Sequence, residues 1–209
     1  MTQARAKAAR LWIAVMLATA VAVAFSFKHL DVPVAMAMEP LSHHLEPLGR
    51  RLAGAFLLAA EAVIFLTLAI TRVVRGRISP LGRAIAAACI SSICAYAINS
   101  TILKPMFGVF PPGYVTTGWP HIAQFFQGSP DSSFPSGHMA LAGAFVGVLM
   151  RHYPKKVWPL AGVLAGGGLL LVLGNWHFLS DVLAGTFFGV STGLFAAEVW
   201  LAHERRLSS

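Results

Sequence analysis

Charge is scarce in this 209-residue chain: Asp, Glu, Lys and Arg make up 11% of it, against 56% apolar residues. An ordinary soluble domain needs a larger polar coat than that, so the bilayer is the solvent in which the sequence has to be read. Acids are scarcer than bases, 8 against 16, which leaves a formal net charge of +8. A basic balance can signal nucleic acid, but here the bases fall in short clusters between apolar runs and no basic face is interleaved with aromatics, so no nucleic-acid partner is expected. Cysteine is nearly missing. Cys89 and Cys94 share one apolar stretch at a spacing that turns them to different faces of a helix, so no disulfide is expected and both read as small buried hydrophobes. The first apolar run also lacks a small-residue cleavage site where it ends in Phe25, Ser26, Phe27 and Lys28, and it is read as a retained helix and not a cleaved signal. Internal repeats and low-complexity tracts are absent.

Apolar sequence is what the chain has in quantity. A hydrocarbon core about 30 Å thick needs roughly 20 helical residues. Six stretches approach that length: Leu11 to Phe27, Leu52 to Val74, Ala84 to Leu103, Ser136 to Met150, Val157 to Leu173 and Asp181 to Ala202. The fourth is short, which puts its start inside a protein cavity and not in lipid. The fifth is softened by Gly166, Gly167 and Gly168, and small residues permit close helix packing. Cytoplasmic loops are enriched in Lys and Arg. Arg5, Lys7 and Arg10 precede the first stretch, Arg72, Arg75, Arg77 and Arg83 join the second to the third, Arg151, Lys155 and Lys156 join the fourth to the fifth, and Arg205 and Arg206 follow the sixth. The alternate connections hold Lys28, Arg50, Arg51 and Lys104, a division of twelve to four. The expectation is an all-α bundle of six transmembrane helices with both termini cytoplasmic.

Two outward connections are long. Residues 28–50 contain Pro33, Pro40, Pro47, His43 and His44, with Val32, Val34, Met36 and Met38 among them, and are expected to lie along the interface as a short amphipathic segment. Residues 104–135 are rich in Pro, Gly and aromatics without helical periodicity, and a connection of that length is more often functional than idle.

Three local patterns meet on the outward side. Lys104 closes the third stretch; Phe134, Pro135, Ser136, Gly137 and His138 open the fourth; His177, Phe178, Leu179, Ser180 and Asp181 open the sixth. Ser136 is a natural N-cap and Gly137 lets an anion approach the first-turn amides, where unpaired N–H groups and the helix dipole attract negative charge. His138 sits beside that anion, placed to protonate a leaving oxygen. His177 and Asp181 are four residues apart, a spacing that lets a carboxylate hold one imidazole nitrogen and direct the other as nucleophile or base. Ser180 is a candidate cap for the last helix. Lys104 offers positive charge to phosphoryl oxygens. A metal bound by His138, His177 and Asp181 is the competing reading on ligand type, and the ammonium of Lys104 counts against it.

These residues resemble the type 2 phosphatidic acid phosphatase superfamily, whose motifs read Lys, six residues, Arg-Pro; then Pro-Ser-Gly-His; then Ser-Arg, five residues, His, three residues, Asp. The resemblance covers about residues 85–200 and is most specific at Pro135 to His138 and at His177 to Asp181 with Val182, Leu183, Ala184 and Gly185. It implies His177 as a nucleophile forming a phosphohistidine, Asp181 as its orienting partner and His138 as the acid for the departing group. Lys104, Ser136 and Gly137 would form the phosphate cradle, and neither cofactor nor metal is implied. Both family arginines are absent: Pro111 and Pro112 stand in the first motif and Leu170 and Leu171 in the third. Arg50, Arg51, His121 and Asn175 are the candidates to reach the phosphate in their place.

The resulting expectation is a lipid-phosphate phosphatase acting on the extracytoplasmic face, in a bacterial inner membrane with the site toward the periplasm. Residues 1–83 would form a two-helix membrane hairpin with its interfacial loop, and residues 84–209 a four-helix catalytic core. Two alternatives stay open: a phosphotransferase moving phosphate from a polyprenyl diphosphate to another lipid, and a non-catalytic member that binds or moves a phospholipid. Glu61 and Glu198, in apolar stretches, are read as helix-pairing or snorkelling acids.

Overall fold

A computed structural model describes residues 3–51 and 54–207, and these are helical with no strand among them beyond one isolated bridge between Val109 and Ala123. In chain order the helices are α1 (Gln3–His29), α2 (Asp31–Arg51), α3 (Gly54–Arg75), α4 (Pro80–Ile98), α5 (Lys104–Phe107), α6 (Pro112–Thr116), α7 (Gly137–His152), α8 (Val157–Leu173) and α9 (Leu179–Leu207). Among the described residues, five segments are long and apolar enough to cross a membrane: Ala6–His29, Leu57–Arg75, Pro80–Phe107, Pro154–Leu173 and Leu179–Arg206. The chain is an integral membrane protein on that ground. The remaining expected span, α7, is 16 residues long and most of it is buried.

Close approach of α7 to α9 explains that burial. A methyl group at Gly185, Gly189 or Gly193 of α9 would lie 2.5 Å from Ser136 O, 2.4 Å from Ala140 O and 2.2 Å from Ala144 O respectively. Gly147 of α7 faces Val190 O equally closely, at 2.7 Å. The seam of small residues therefore brings two backbones together at a distance no larger side chain permits, which is how helices associate where lipid removes the ordinary hydrophobic drive. α4 also packs against α7. Between them Ser92 contacts both Glu61 of α3, at 3.0 Å, and the Leu141 carbonyl, at 2.8 Å, so the one acid in the second apolar stretch serves helix pairing.

Residues 28–50, expected as a short amphipathic interfacial segment, run largely into the 21-residue helix α2. Pro33 falls in its first turn, where a missing N–H costs nothing, and the Ala, Met, Leu and Glu residues between the later prolines are good helix formers. Only Leu30 separates α1 from α2, and hydrogen bonds from Leu30 N to Ser26 O and from Val34 N to Leu30 O carry the chain across the break. α4 begins four residues earlier than expected, because Ser79 caps it through Gly82 N and Pro80 occupies the first turn. At its other end it passes into a π turn, Asn99–Leu103, before α5.

Ion pairs Arg83–Glu204 and Arg151–Glu198 join the start of α4 and the end of α7 to the last turns of α9. The opposite end of the bundle gathers the end of α4, the start of α7 and the start of α9.

Candidate active site

The segment leading into α7 is tied down link by link. Ser133 N donates to Val109 O at 2.7 Å, the Phe134–Pro135 peptide is cis, and the Asn99 side-chain amide donates to Pro135 O at 3.1 Å. Ser136 N donates to the Asp181 carbonyl at 3.0 Å. Ser136 then caps α7, its hydroxyl accepting from Met139 N as the sequence predicts. Gly137 faces the Tyr96 ring, which a Cβ would meet at 3.2 Å, so its place is required by α4 as much as by an incoming anion.

His177 sits just before α9 and is nearly buried. Its Nδ1 lies 3.2 Å from Asp181 Oδ2, which fixes the proton on Nδ1 and leaves the Nε2 lone pair outward. Nε2 lies 3.3 Å from His138 Nδ1. Asp181 is fully buried and its Oδ2 also accepts from the Ser133 hydroxyl at 2.6 Å and from Phe178 N at 3.0 Å. Three donors on one oxygen hold the carboxylate in place. Lys104 directly follows the π turn; its Nζ donates to Pro130 O at 3.1 Å and lies within electrostatic reach of Asp181. All six residues singled out for chemistry thus gather at one end of the bundle.

A carboxylate, two imidazoles and an ammonium at the amino end of a helix can position a tetrahedral anion, attack it and protonate what leaves. A profile of the PAP2 superfamily matches residues 81–205. The chain belongs to the PAP2 superfamily. Among solved structures, the transmembrane PAP2-type phosphatidylglycerolphosphate phosphatase of Bacillus subtilis matches with a TM-score of 0.51 at 19% identity, over 90% of this chain and 94% of that one. At that identity the likeness is one of fold. No curated protein matches the chain.

This PAP2 chain departs from the family motifs where arginine is expected, and the structure shows what stands there instead. Leu171 is buried in an apolar cluster with Met139, Leu164 and Val182, and its carbonyl accepts from Trp176 N and His177 N. Pro112 opens α6. Of the proposed substitutes, His121 is engaged with Asp31 at 3.2 Å and the Asn175 amide donates to Glu39 at 3.0 Å. The side chains of Arg50 and Arg51 lie outside the described residues. Among the described residues no group of three or more His, Cys, Asp or Glu is placed to hold a metal ion.

Sequence reasoning missed Asp31, Asn99 and Ser133. Ser180, read as a cap, is instead the second residue of α9, and its own amide and hydroxyl donate to Asp31. An acid directly after an apolar span, in a chain with so few acids, was the available signal for Asp31. Beside the first turns of α9 an apolar groove of about 1690 Å³ opens between α1 and α8, from Leu179 and Val182 past Leu164 and Gly168 to Phe195.

Proposed function

We propose that the chain is a membrane lipid-phosphate phosphatase whose site faces away from the cytoplasm. The observation that carries this reading is the relay Asp181–His177–His138, at 3.2 and 3.3 Å, beside the amino end of α7 in a PAP2-superfamily chain. The substrate phosphorus enters between the two imidazoles, with its oxygens toward the first turn of α7 and Lys104. The His177 Nε2 lone pair forms the N–P bond while the P–O bond to the lipid breaks, and the departing oxygen takes a proton from His138. Water, deprotonated by the now neutral His138, attacks phosphorus, the N–P bond breaks, and inorganic phosphate leaves. Asp181 keeps Nδ1 protonated throughout and stabilises the positive charge on the ring. The lipid tail lies in the apolar groove between α1 and α8.

The twelve-to-four division of bases supports the outward orientation, since the ends of α1, α3, α4, α7 and α9, with the α3–α4 and α7–α8 connections, carry those twelve toward the end of the bundle away from His177. Purified protein offered a panel of phosphatidic acid, phosphatidylglycerol phosphate, polyprenyl diphosphate and sphingoid phosphate should release inorganic phosphate from at least one. A phosphoenzyme trapped during turnover should be acid-labile and absent from His177→Ala; full release by His177→Ala would remove His177 as nucleophile. Leu171 in place of an arginine favours a second reading, a phospholipid-binding member without turnover, and no release from any substrate by the native protein would select it.

A further inference from the structure

Asp31 opens α2, outside the segment the PAP2 profile matches, and it is 1% exposed. A carboxylate in such a place is costly unless every lone pair is used. Here Oδ1 accepts from Ser180 N at 3.0 Å, and Oδ2 accepts from the Ser180 hydroxyl and from His121 Nε2, the latter at 3.2 Å. The imidazole of His121 is itself held between the rings of Phe27 and Phe178, each 4.2 Å away between centroids. Donors from two distant parts of the chain thus converge on one group at the amino end of α9, where the helix dipole favours negative charge.

Ser180 is flanked by the residues that do the proposed chemistry. Asp181 follows it, and His177 precedes it by three positions. Phe178, whose ring covers His121, gives its own N–H to Asp181 Oδ2. The first turn of α9 is therefore gripped by two carboxylates, Asp181 from within and Asp31 from α2. We infer that Asp31 is a positioning residue for the catalytic imidazole: by clamping both polar groups of Ser180 it sets where α9 begins and so where His177 Nε2 points. On this inference, which rests on the phosphatase reading above, the N-terminal helices complete the active site and do more than border a lipid entrance.

The chemistry sets the size of the effect. Nucleophilic attack tolerates little misplacement, about 1 Å costing on the order of a hundredfold in rate. Asp31→Asn retains one acceptor for Ser180 N but no longer offers Oδ2 to the Ser180 hydroxyl and His121. Steady-state kinetics of Asp31→Asn and Ser180→Ala in detergent, on the best lipid phosphate and on a short-chain soluble phosphate ester, should show kcat reduced roughly tenfold or more for the first and a few-fold for the second, with KM within about twofold on both substrates. The double variant should be no slower than Asp31→Asn alone, because the hydroxyl contact that Ser180→Ala removes is already lost in Asp31→Asn. Rapid-quench measurement should place the loss in phosphoenzyme formation.

A merely structural staple would instead lower the amount of folded protein and its Tm while leaving kcat per folded molecule unchanged, and that result would overturn the inference. Should Asp31→Asn fail to fold, Ser180→Ala, which removes one hydroxyl and keeps the carboxylate paired, decides alone: unchanged kcat refutes the positioning role. Activity of the unaltered protein separates the two levels, since an inactive parent defeats the phosphatase reading, and an active parent with unaffected variants defeats only this one.

Discussion

A neutral imidazole whose Nδ1 proton is given to a carboxylate has one nitrogen left to act with, and at His177 that nitrogen faces His138. Replacing Asp181 by Asn keeps the shape but offers an amide where one carboxylate oxygen took three donors. The imidazole is then free to hold its proton on the wrong nitrogen, and kcat should fall by about a hundredfold or more at little change in KM, measured by phosphate release. His138→Gln should act differently: it should slow an alkoxide departure strongly and the release of a more acidic leaving group, such as a nitrophenolate, far less. At this scale the sequence was generous with residues that carry chemistry in fixed local spacing, His177 with Asp181 and Ser136 with His138. It was silent on partners brought in from afar, because nothing local relates Ser133 to Asp181 or Asp31 to Ser180, positions separated by 48 and 149 residues.

Helix packing makes its own predictions. Gly189→Val would drive two methyl groups into the Ala140 carbonyl, already only 2.4 Å from a built Cβ, and should leave the protein poorly folded in detergent, seen as aggregation on size exclusion. Gly166 and Gly167 of α8 have nothing within 4 Å of a built Cβ, so Gly166→Ala should be neutral or raise Tm slightly through helix propensity, worth up to about 1 kcal/mol. Glycine counts alone do not separate these cases. The apolar stretches were legible as helices because length and hydropathy suffice for that. α2 was read only as a short amphipathic segment, and its full helical length rests on the tolerance of a first-turn proline together with packing against α6, α8 and α9. The π turn at Asn99–Leu103 had no signature at all, although it leads directly into Lys104.

Across the whole molecule, the proposed topology can be read with a membrane-impermeant thiol reagent. In a background with Cys89 and Cys94 replaced by Ala, Ser129→Cys, near the site, should label in intact cells, while His203→Cys should label only after lysis; the reverse pattern would invert the orientation. The groove between α1 and α8 makes a separate demand. Leu164→Trp, on its wall, should raise KM for a long-chain lipid phosphate several-fold and leave a short-chain soluble ester unaffected. Two carboxylates already occupy the amino end of α9, so of the two helices that begin at the imidazoles only α7 can turn its positive pole toward an incoming anion. Orthovanadate should accordingly saturate at one equivalent per polypeptide, competing with substrate along a simple hyperbola.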